Sequence, residues 1–544
     1  MSTTAKRGRG LAAVAACVLL AGQGCGGGTA GPDAADGAAQ RQGLASCDAR
    51  PDDCNSGQRR DGGTLALGLT GQLHDFGPLA SAGAGSAGLA GVTDLVAPSS
   101  FTVLPSGVVR HNPDLLAGQP QLTSTGQQTV VYKLRAQARW SDGAPISAAD
   151  YEYTWRLRAA ATQGCAGPDL AGYGRIASVT GSDNGKTVTV AFSSPTPDWR
   201  GLFAALLPAH VAAATGDLST AEGLLASCSA WTVRPEWTGG PYLVTAFDPD
   251  HQVELVANPS WYGAQTPTLE KLVFRFFPDR AAAVAALERG EVDGVDLQPD
   301  RETVTRARAL TGAGIDAEIV ASREWTHLDL NTTGRFLADR ALRDALLTAI
   351  GSQEIVEKVV RDYFPTAEPR RAHQLFPGQA GYRDVLWQVA PEQGSGDAGT
   401  ARKALTAAGY TVVNGQLTTP TGEAVGALRL RFDAADPILA ATAALIRDQV
   451  APIGLGVTVE PATDLAAVLA AGEFDLVLGT ATDGAALGRT IARWRGDSPD
   501  NVTGWRSADA DALLDRAAVE LDDARRRSLL NRQDEIMTTA AVVL

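Results

Sequence analysis

The side chains most able to do chemistry are scattered along the chain rather than arranged in a reactive motif. The sequence contains no H-E-x-x-H zinc motif, no G-x-S-x-G nucleophile turn and no P-loop. Its six histidines lie far apart. The G-x-G-x-x-G match at residues 83–88 follows no clear strand, so it indicates a flexible loop rather than a dinucleotide site. The residues therefore predict a protein that is not an enzyme, with no cofactor and no metal site.

The first 25 residues have the pattern of an export signal. Three basic residues precede an apolar run at residues 11–21, which is too short to span a bilayer. The run ends in Gly-Gln-Gly-Cys25 followed by glycines, which resembles a bacterial lipoprotein processing site and predicts a lipid on Cys25. Cys17 is the alternative, because the residues before it fit the local pattern better. A plain secreted protein is a second alternative.

The cysteines after the leader predict disulfides. Cys47, Cys54, Cys165 and Cys228 are an even set, which in an exported protein indicates disulfide bonds. Three pairings are open. We predict Cys47 with Cys54, closing a tight polar loop, and Cys165 with Cys228. A metal site at the first pair is the alternative, although the spacing is longer than in zinc motifs and no histidine is near.

Composition limits the class of protein. A length of 544 residues suggests two to four domains, with room for a large core. The formal net charge of −14, without a basic stripe, argues against nucleic acid as a partner and against binding to anionic lipid surfaces. Residues 26–62 have few apolar side chains and are predicted to be a flexible tether.

The chain is organised around residues 239–297. Two alternating runs joined by an Asp-Pro-Asp turn predict a pair of strands, and a nearly continuous apolar run at residues 272–277 predicts a third. A helix is expected from Arg280 to Arg289, capped by Asp279 and ended by Gly290. A further strand begins near Val292. Strand, helix and strand together predict a βαβ unit and hence a parallel sheet.

Several motifs in this stretch and before it resemble one protein family. Gly-Pro-Tyr at 240–242, Asn-Pro-x-Trp-Tyr-Gly at 258–263, and residues 269–293 are similar to the central signature of the family 5 extracellular solute-binding proteins, which serve ABC importers of peptides and nickel. Trp-Ser-Asp-Gly-x-Pro-x-x-Ala-x-Asp at 140–150 resembles the family's most recognisable motif. Its Trp140 and turn are expected to be structural.

The resemblance also suggests residues that could contact a ligand. Family members place an Asn-Thr similar to Asn331-Thr332 near the cleft, after a strand that here begins at Trp325. In the peptide-binding branch, an aspartate at the position nearest Asp483 pairs with the peptide's amino group. The aromatic and proline residues usual after it are missing here. Trp325 and Trp387 would stack on the ligand, Asn331 would hydrogen-bond it, and Asp483 would take a positive group.

The resemblance implies an α/β fold of the two-lobed periplasmic-binding-protein type (type II, with an extra subdomain), with mixed sheets flanked by helices and a cleft between the lobes. We expect one lobe from residues 63–100, 235–315 and 500–544. Residues 101–234 form the subdomain on it, and residues 316–499 form the other lobe.

The resemblance also implies a function. The expected function is capture of a peptide or similar amphiphilic solute outside the cytoplasm by a monomer anchored through Cys25, which delivers the solute to permease subunits. The alternative is a regulatory lipoprotein of cell-envelope glycolipid synthesis. This alternative is suggested by similarity of residues 171–210 to actinobacterial lipoproteins described as binding a monoacyl phosphatidylinositol mannoside.

Overall fold

The computed structural model describes most of the chain beyond residue 59. The described residues are 60–71, 73, 76, 87–104, 108–123, 126–160, 172–231, 234–297, 300–310, 314–315, 317, 324–362, 364–482 and 487–544.

The strands have lengths from three to seven residues and are distributed over several sheets. In chain order they are β1 (Thr64–Thr70), β2 (Phe101–Val103), β3 (Val109–His111), β4 (Gln121–Thr123), β5 (Thr129–Lys133), β6 (Ile176–Ser182), β7 (Thr187–Phe192), β8 (Tyr242–Asp248), β9 (Gln252–Ala257), β10 (Lys271–Phe277), β11 (Gly294–Asp296), β12 (Glu324–Leu330), β13 (Thr411–Val413), β14 (Gln416–Thr418), β15 (Leu428–Asp433), β16 (Val457–Ala462) and β17 (Leu476–Thr482).

The helices alternate with these strands. In chain order they are α1 (Ala87–Asp94), α2 (Ala148–Ala159), α3 (Ala209–Ala213), α4 (Ala221–Ala226), α5 (Arg280–Glu288), α6 (Arg301–Ala309), α7 (Arg340–Ala349), α8 (Ser352–Val359), α9 (Val385–Val389), α10 (Ala398–Ala407), α11 (Pro437–Val450), α12 (Leu465–Ala470), α13 (Leu487–Trp494), α14 (Ala508–Ala517) and α15 (Asp523–Thr539). Within the described ranges, every helix falls short of the length and apolarity needed to cross a bilayer.

The first lobe is built on a five-stranded mixed sheet in the order β11-β1-β10-β9-β8. β1 runs parallel to both β10 and β11, whereas β8, β9 and β10 form antiparallel pairs. Helix α5 connects β10 to β11, so the strand–helix–strand unit predicted from the sequence is confirmed. Asp279 accepts the Ala282 N–H at 2.7 Å to start this helix, and Gly290 follows it with φ of 70°.

The subdomain has a four-stranded antiparallel sheet in the order β4-β5-β7-β6. Trp140 is fully buried beside it, and its ring packs edge-on against Trp237 at 5.5 Å between centroids. A capping box between Ser147 and Asp150 starts α2. Asp150 also accepts the Ala209 N–H at 2.9 Å, which joins α2 to α3. These contacts support the structural role expected of the Trp-Ser-Asp-Gly motif.

The second lobe has a four-stranded sheet in the order β12-β17-β15-β16. β15 runs parallel to β16 and β17, and β12 runs antiparallel to β17, so the sheet is mainly parallel as predicted. Leu328 and Leu330 of β12 point into the core of this lobe. Leu342, Leu346 and Ile350 are buried in the same core, which is the stripe that their spacing predicted on α7.

The C-terminal segment belongs with the second lobe, so the prediction that residues 500–544 join the first lobe is wrong. The backbone of Leu328 exchanges two hydrogen bonds with Leu544, at 2.9 and 3.1 Å. The buried Arg343 of α7 donates to the carbonyl oxygens of Ala540 and Ala541 at 2.8 and 3.0 Å. The apolar end of the chain covers the edge of β12, where its backbone groups find partners.

Several predicted sites fall on residues outside the described part of the chain. These are the lipidation site Cys25, the cysteines Cys47, Cys54 and Cys165, and the proposed cation partner Asp483. Cys228 lies within the described part and is disulfide-bonded. The pairing of Cys165 with Cys228 stays a prediction.

Candidate ligand site between the lobes

The first strand of the second lobe presents a row of polar and aromatic side chains on one face. Residues at alternate positions of a strand share a face, so Trp325, His327 and Asp329 lie together, opposite the leucines that enter the core. This face is covered by a cluster of buried residues from α13, α14 and α15. Trp325 is half-buried at its edge, whereas His327 and Asp329 are buried.

Trp325 is the centre of an aromatic and cationic stack. Its ring lies 4.8 Å from the ring of His327 and 6.0 Å from that of His373. The guanidinium of Arg370 lies between two rings, 4.1 Å from the centroid of Trp325 and 3.8 Å from that of Phe376. Cation–π contacts of this kind hold a charged plane against aromatic surface. The stack thus fixes the orientation of the half-buried indole.

The carboxylate of Asp329 lies next to the imidazole of His327, which in turn contacts the guanidinium of Arg493. The imidazole also packs against the indole of Trp325. Arg493 of α13 lies 2.6 Å from Nε2 of His327. Since an arginine can only donate, Nε2 accepts, and we assign the imidazole proton to Nδ1. That nitrogen is 3.1 Å from Oδ1 of Asp329, at an angle too bent for a good hydrogen bond. Burial raises the pKa of the Asp329 carboxyl, but His327, Arg493 and His373 outweigh it and the pKa is lowered.

A second histidine–carboxylate pair, His373 and Asp534, is buried next to Trp325. Nδ1 of His373 lies 2.7 Å from Oδ1 of Asp534, whose other oxygen accepts the His373 backbone N–H at 2.7 Å. Thr538 also donates to Asp534, at 3.2 Å. All three residues are buried. This pair anchors residues near 373 to α15 and so supports Arg370 and the indole above it.

Helix α13 connects this cluster to the other lobe. The carboxylate of Asp198, in the subdomain, accepts the backbone N–H of Leu487 at the start of α13. Arg175 of the subdomain donates to the carbonyl oxygen of Ala518 at 2.9 Å. Burial raises the pKa of Asp198 to about 6, although Arg526, the N–H groups at the helix start and Arg175 favour the charged form.

A second contact joins the lobes at α6 and α8. Arg301 of α6 pairs with Asp362 and donates to the carbonyl oxygen of Lys358 at 2.9 Å. Arg308 donates to the carbonyl oxygen of Asp362 at 3.3 Å. The side chains of Arg301 and Asp362 are more than half exposed, so this is a surface contact that water screens. Polar contacts of this kind can form and break as two lobes move relative to each other.

The comparison with known families explains this architecture. The family model for the middle region of the bacterial extracellular solute-binding proteins of family 5 matches residues 112–501, well over half of the chain. The chain belongs to this family. The members of this family are extracellular solute-binding proteins.

Individual relatives are similar over most of the chain. Oligopeptide-binding protein OppA of Mycobacterium tuberculosis is 29% identical over 498 residues, covering 88% of this chain and 78% of that protein. LpqW of the same organism, named a probable monoacyl phosphatidylinositol tetramannoside-binding protein, is 27% identical over 434 residues, 74% of this chain and 66% of LpqW. The structure of the periplasmic EDTA-binding protein EppA superposes with a TM-score of 0.83 at 32% identity, covering 90% of this chain and 91% of EppA.

Three of the predicted ligand residues lie in the described part of the chain, and their surroundings differ. Trp325 lies in the cluster. Asn331 uses its side chain within its own lobe, since Nδ2 donates to Phe474 at 3.2 Å and Oδ1 accepts from the backbone and hydroxyl of Thr333 at 3.1 and 2.7 Å. These bonds favour a role in shaping the turn, and ligand contact stays a prediction. Trp387 is 63% exposed on α9, outside the ring contacts of the Trp325 cluster.

Four residues of the Trp325 cluster were not predicted from the sequence: His327, Arg370, His373 and Arg493. The alternation of Trp325, His327 and Asp329 along a predicted strand was a usable signal, because it puts one aromatic and two titratable side chains on one face. Arg370, His373 and Arg493 come from separate segments, and only the tertiary fold brings them to this strand.

Proposed function

We propose that the protein is an extracytoplasmic lipoprotein that captures a peptide or similar amphiphilic solute between its lobes and delivers it to an ABC importer. The observation that carries the proposal is the cluster around Trp325, which lies on the first strand of one lobe and is linked through α13 to the other. Similarity to an oligopeptide-binding relative over 88% of the chain supports a peptide-like ligand.

The mechanism is closure of two lobes on a ligand. A ligand that contacts both lobes binds the closed arrangement more tightly than the open one, and so shifts the population toward it. The contacts of Asp198 with α13 and of Arg301 with Asp362 contribute to the closed arrangement. Trp325 offers apolar surface to the ligand. Nothing in this mechanism alters the ligand chemically.

Two of the three relatives are named for ligands that carry a carboxylate, whereas LpqW is named for a glycolipid. A peptide ends in a carboxylate, and EDTA, for which EppA is named, is a polycarboxylate. A carboxylate-bearing solute is therefore the ligand class that we favour for this chain.

Capture and import are tested together by a binding assay and an uptake assay. Isothermal titration calorimetry with defined peptides should show one site per chain, and deletion of the gene should abolish uptake of the peptides that bind. Trp325→Ala should weaken binding about tenfold or more, because a ligand group packed on the indole loses that surface. Trp387→Ala removes an exposed tryptophan outside the cluster and tests the separate prediction that Trp387 also contacts the ligand. Tight binding with unchanged uptake in the deletion strain would overturn the transport role.

The anchor at Cys25 is tested by fractionation. With residues 26–62 as tether, we expect a monomer held on the outer face of the membrane, with no nucleic acid partner. Cys25→Ser should release the protein into the soluble fraction, while Cys17→Ser should leave it with the membrane. The reverse pattern would move the anchor to Cys17, and release by neither variant would overturn lipid anchoring.

A second function is favoured by one specific observation, the similarity to LpqW over 74% of the chain. On this alternative the protein binds an envelope glycolipid and regulates its synthesis, without a transport partner. A monoacyl phosphatidylinositol mannoside should then bind more tightly than any peptide, and deletion should change the mannoside profile of the envelope while peptide uptake stays normal.

A further inference from the structure

Two arginines lie on α13, close to the boundary between the lobes. Ion pairs with carboxylates are frequent among the described arginines, for example Arg306 with Glu288 and Arg431 with Glu460. Arg489 and Arg493 make no ion pair with any described carboxylate, although the chain carries a formal charge of −14. Being four residues apart on a helix, they lie on the same side of it.

Arg493 is held in place through His327 rather than by a direct ion pair. Its one hydrogen bond within the described residues is to Nε2 of His327, at 2.6 Å, and a guanidinium has five N–H donors. His327 is held in turn beside Asp329 and against the ring of Trp325. A half-buried guanidinium that donates to an imidazole nitrogen, next to a partly exposed indole, retains N–H donors for an anion.

The position of α13 puts these donors near the boundary between the lobes. The helix starts where Asp198 of the subdomain accepts its first N–H, and it ends beside His327 of the second lobe. An anion held here would be partly shielded from water when the lobes are in contact. A charge-assisted hydrogen bond is strongest under that condition.

We propose that Arg493, assisted by Arg489, forms an anion subsite for a carboxylate of the captured solute, with an apolar group of the solute packed on Trp325. His327 and Asp329 are positioning residues that hold the guanidinium of Arg493. The proposal rests on the proposed function and deepens it, because it states that α13 binds the carboxylate of an amphiphilic solute. Such a subsite would select solutes that carry a carboxylate, whereas Asp483, if it binds a positive group, would not.

The test compares matched probes rather than an unidentified ligand. The probes are a peptide library with free C-terminal carboxylates, the same library as C-terminal amides, and EDTA. Binding is measured by calorimetry for the wild type, Arg493→Gln and Arg489→Gln. Arg447→Gln is the control, since it removes the same charge from an exposed site on α11 where the arginine is paired with Asp448.

The wild type should bind the free acids at least tenfold more tightly than the amides. Arg493→Gln should lose about tenfold to a hundredfold in affinity for the acids and less than about twofold for the amides, as expected for a hydrogen bond to a charged group. Arg489→Gln should lose less, and Arg447→Gln nothing. Added salt should weaken acid binding more than amide binding.

The positioning role of His327 is tested by the acid-over-amide preference of two His327 variants. His327→Gln retains an acceptor for Arg493, whereas His327→Phe retains the ring but not the acceptor. The first should keep most of the acid-over-amide preference and the second should lose it, while thermal melting shows that both variants are folded. Equal loss in the two variants would overturn the positioning role.

The outcomes separate the subsite from the proposed function. Equal binding of acids and amides by the wild type would overturn the subsite and leave peptide capture intact. Binding of EDTA that depends on Arg493, with no binding of either library, would support the subsite and overturn peptide capture. Binding of none of the three probes would overturn both. Loss of acid and amide binding in equal measure on Arg493→Gln would show a merely structural arginine.

Discussion

The contact of Asp198 with α13 predicts that Asp198→Asn changes the pH dependence of stability in a specific direction. In the folded protein, burial raises the pKa of this carboxyl to about 6 from its ordinary 3.8, against the influence of Arg526 and Arg175. In the unfolded chain the carboxyl titrates at its ordinary value. The folded state therefore binds the proton more tightly. The resulting stabilisation is complete below pH 3.8 and is lost as the pH rises through about 6.

The magnitude follows from the two pKa values. At about 1.4 kcal/mol per pKa unit, the stabilisation by the proton changes by about 3 kcal/mol across this window. Asparagine has the same size, stays neutral, and caps a helix as well as aspartate does. At about pH 7.5 the wild type holds a charged carboxylate in this contact and the variant does not. We therefore expect the variant to be the more stable by up to about 3 kcal/mol there, with the difference closing toward about pH 4.

Differential scanning calorimetry of wild type and variant from pH 4 to 7.5 measures this. With an unfolding entropy of about 2.1 cal/mol/K per residue, 1 kcal/mol corresponds to about 1 °C in a chain of this size, so the midpoints should differ by up to about 3 °C at the upper pH. Asp250→Asn, in the exposed turn between β8 and β9, is the control and should show no such trend. Midpoints that shift in parallel for wild type and Asp198→Asn would refute the reasoning, because the carboxylate would then be ionised throughout.

Three further predictions concern the core of each lobe. Asp329→Asn removes the buried carboxylate that faces His327 and Arg493 and should cost about 3–5 kcal/mol, seen as a lower melting midpoint. Trp140→Ala removes a fully buried indole from the subdomain and should cost about 3–5 kcal/mol in the same assay. Gly240→Ala would place a Cβ 2.2 Å from a backbone carbonyl oxygen and should prevent normal folding, as judged by soluble yield, whereas Gly118→Ala meets no atom within 4 Å and should be tolerated.

Much of the fold could be predicted from local sequence signals. Asp279 and Gly290 fixed the limits of α5, because caps act within one helical turn. The alternation and the turn residues located β8 to β10, and family motifs identified the lobes. The C-terminal segment was placed in the wrong lobe because its apolar end pairs with β12, about two hundred residues earlier, and no local pattern encodes such a partner.

The site was less predictable than the fold. Trp325 was recognised because it begins a strand next to a family motif, but its neighbours Arg370, His373 and Arg493 come from three separate segments. Asn331 was selected by its motif, and only the structure shows that its amide is bonded within the turn. Among the described residues, Arg489 and Arg493 have no acidic partner, and only the fold shows this because acidic residues are abundant in the sequence.

We propose that this chain holds an unaltered, carboxylate-bearing solute between two lobes. Native mass spectrometry of protein isolated from its own cells without denaturation tests this proposal. We expect one anionic solute per chain, lost in Arg493→Gln and unchanged in mass after prolonged incubation with the protein. A bound compound that is neutral or cationic, or whose mass changes during incubation, would contradict it.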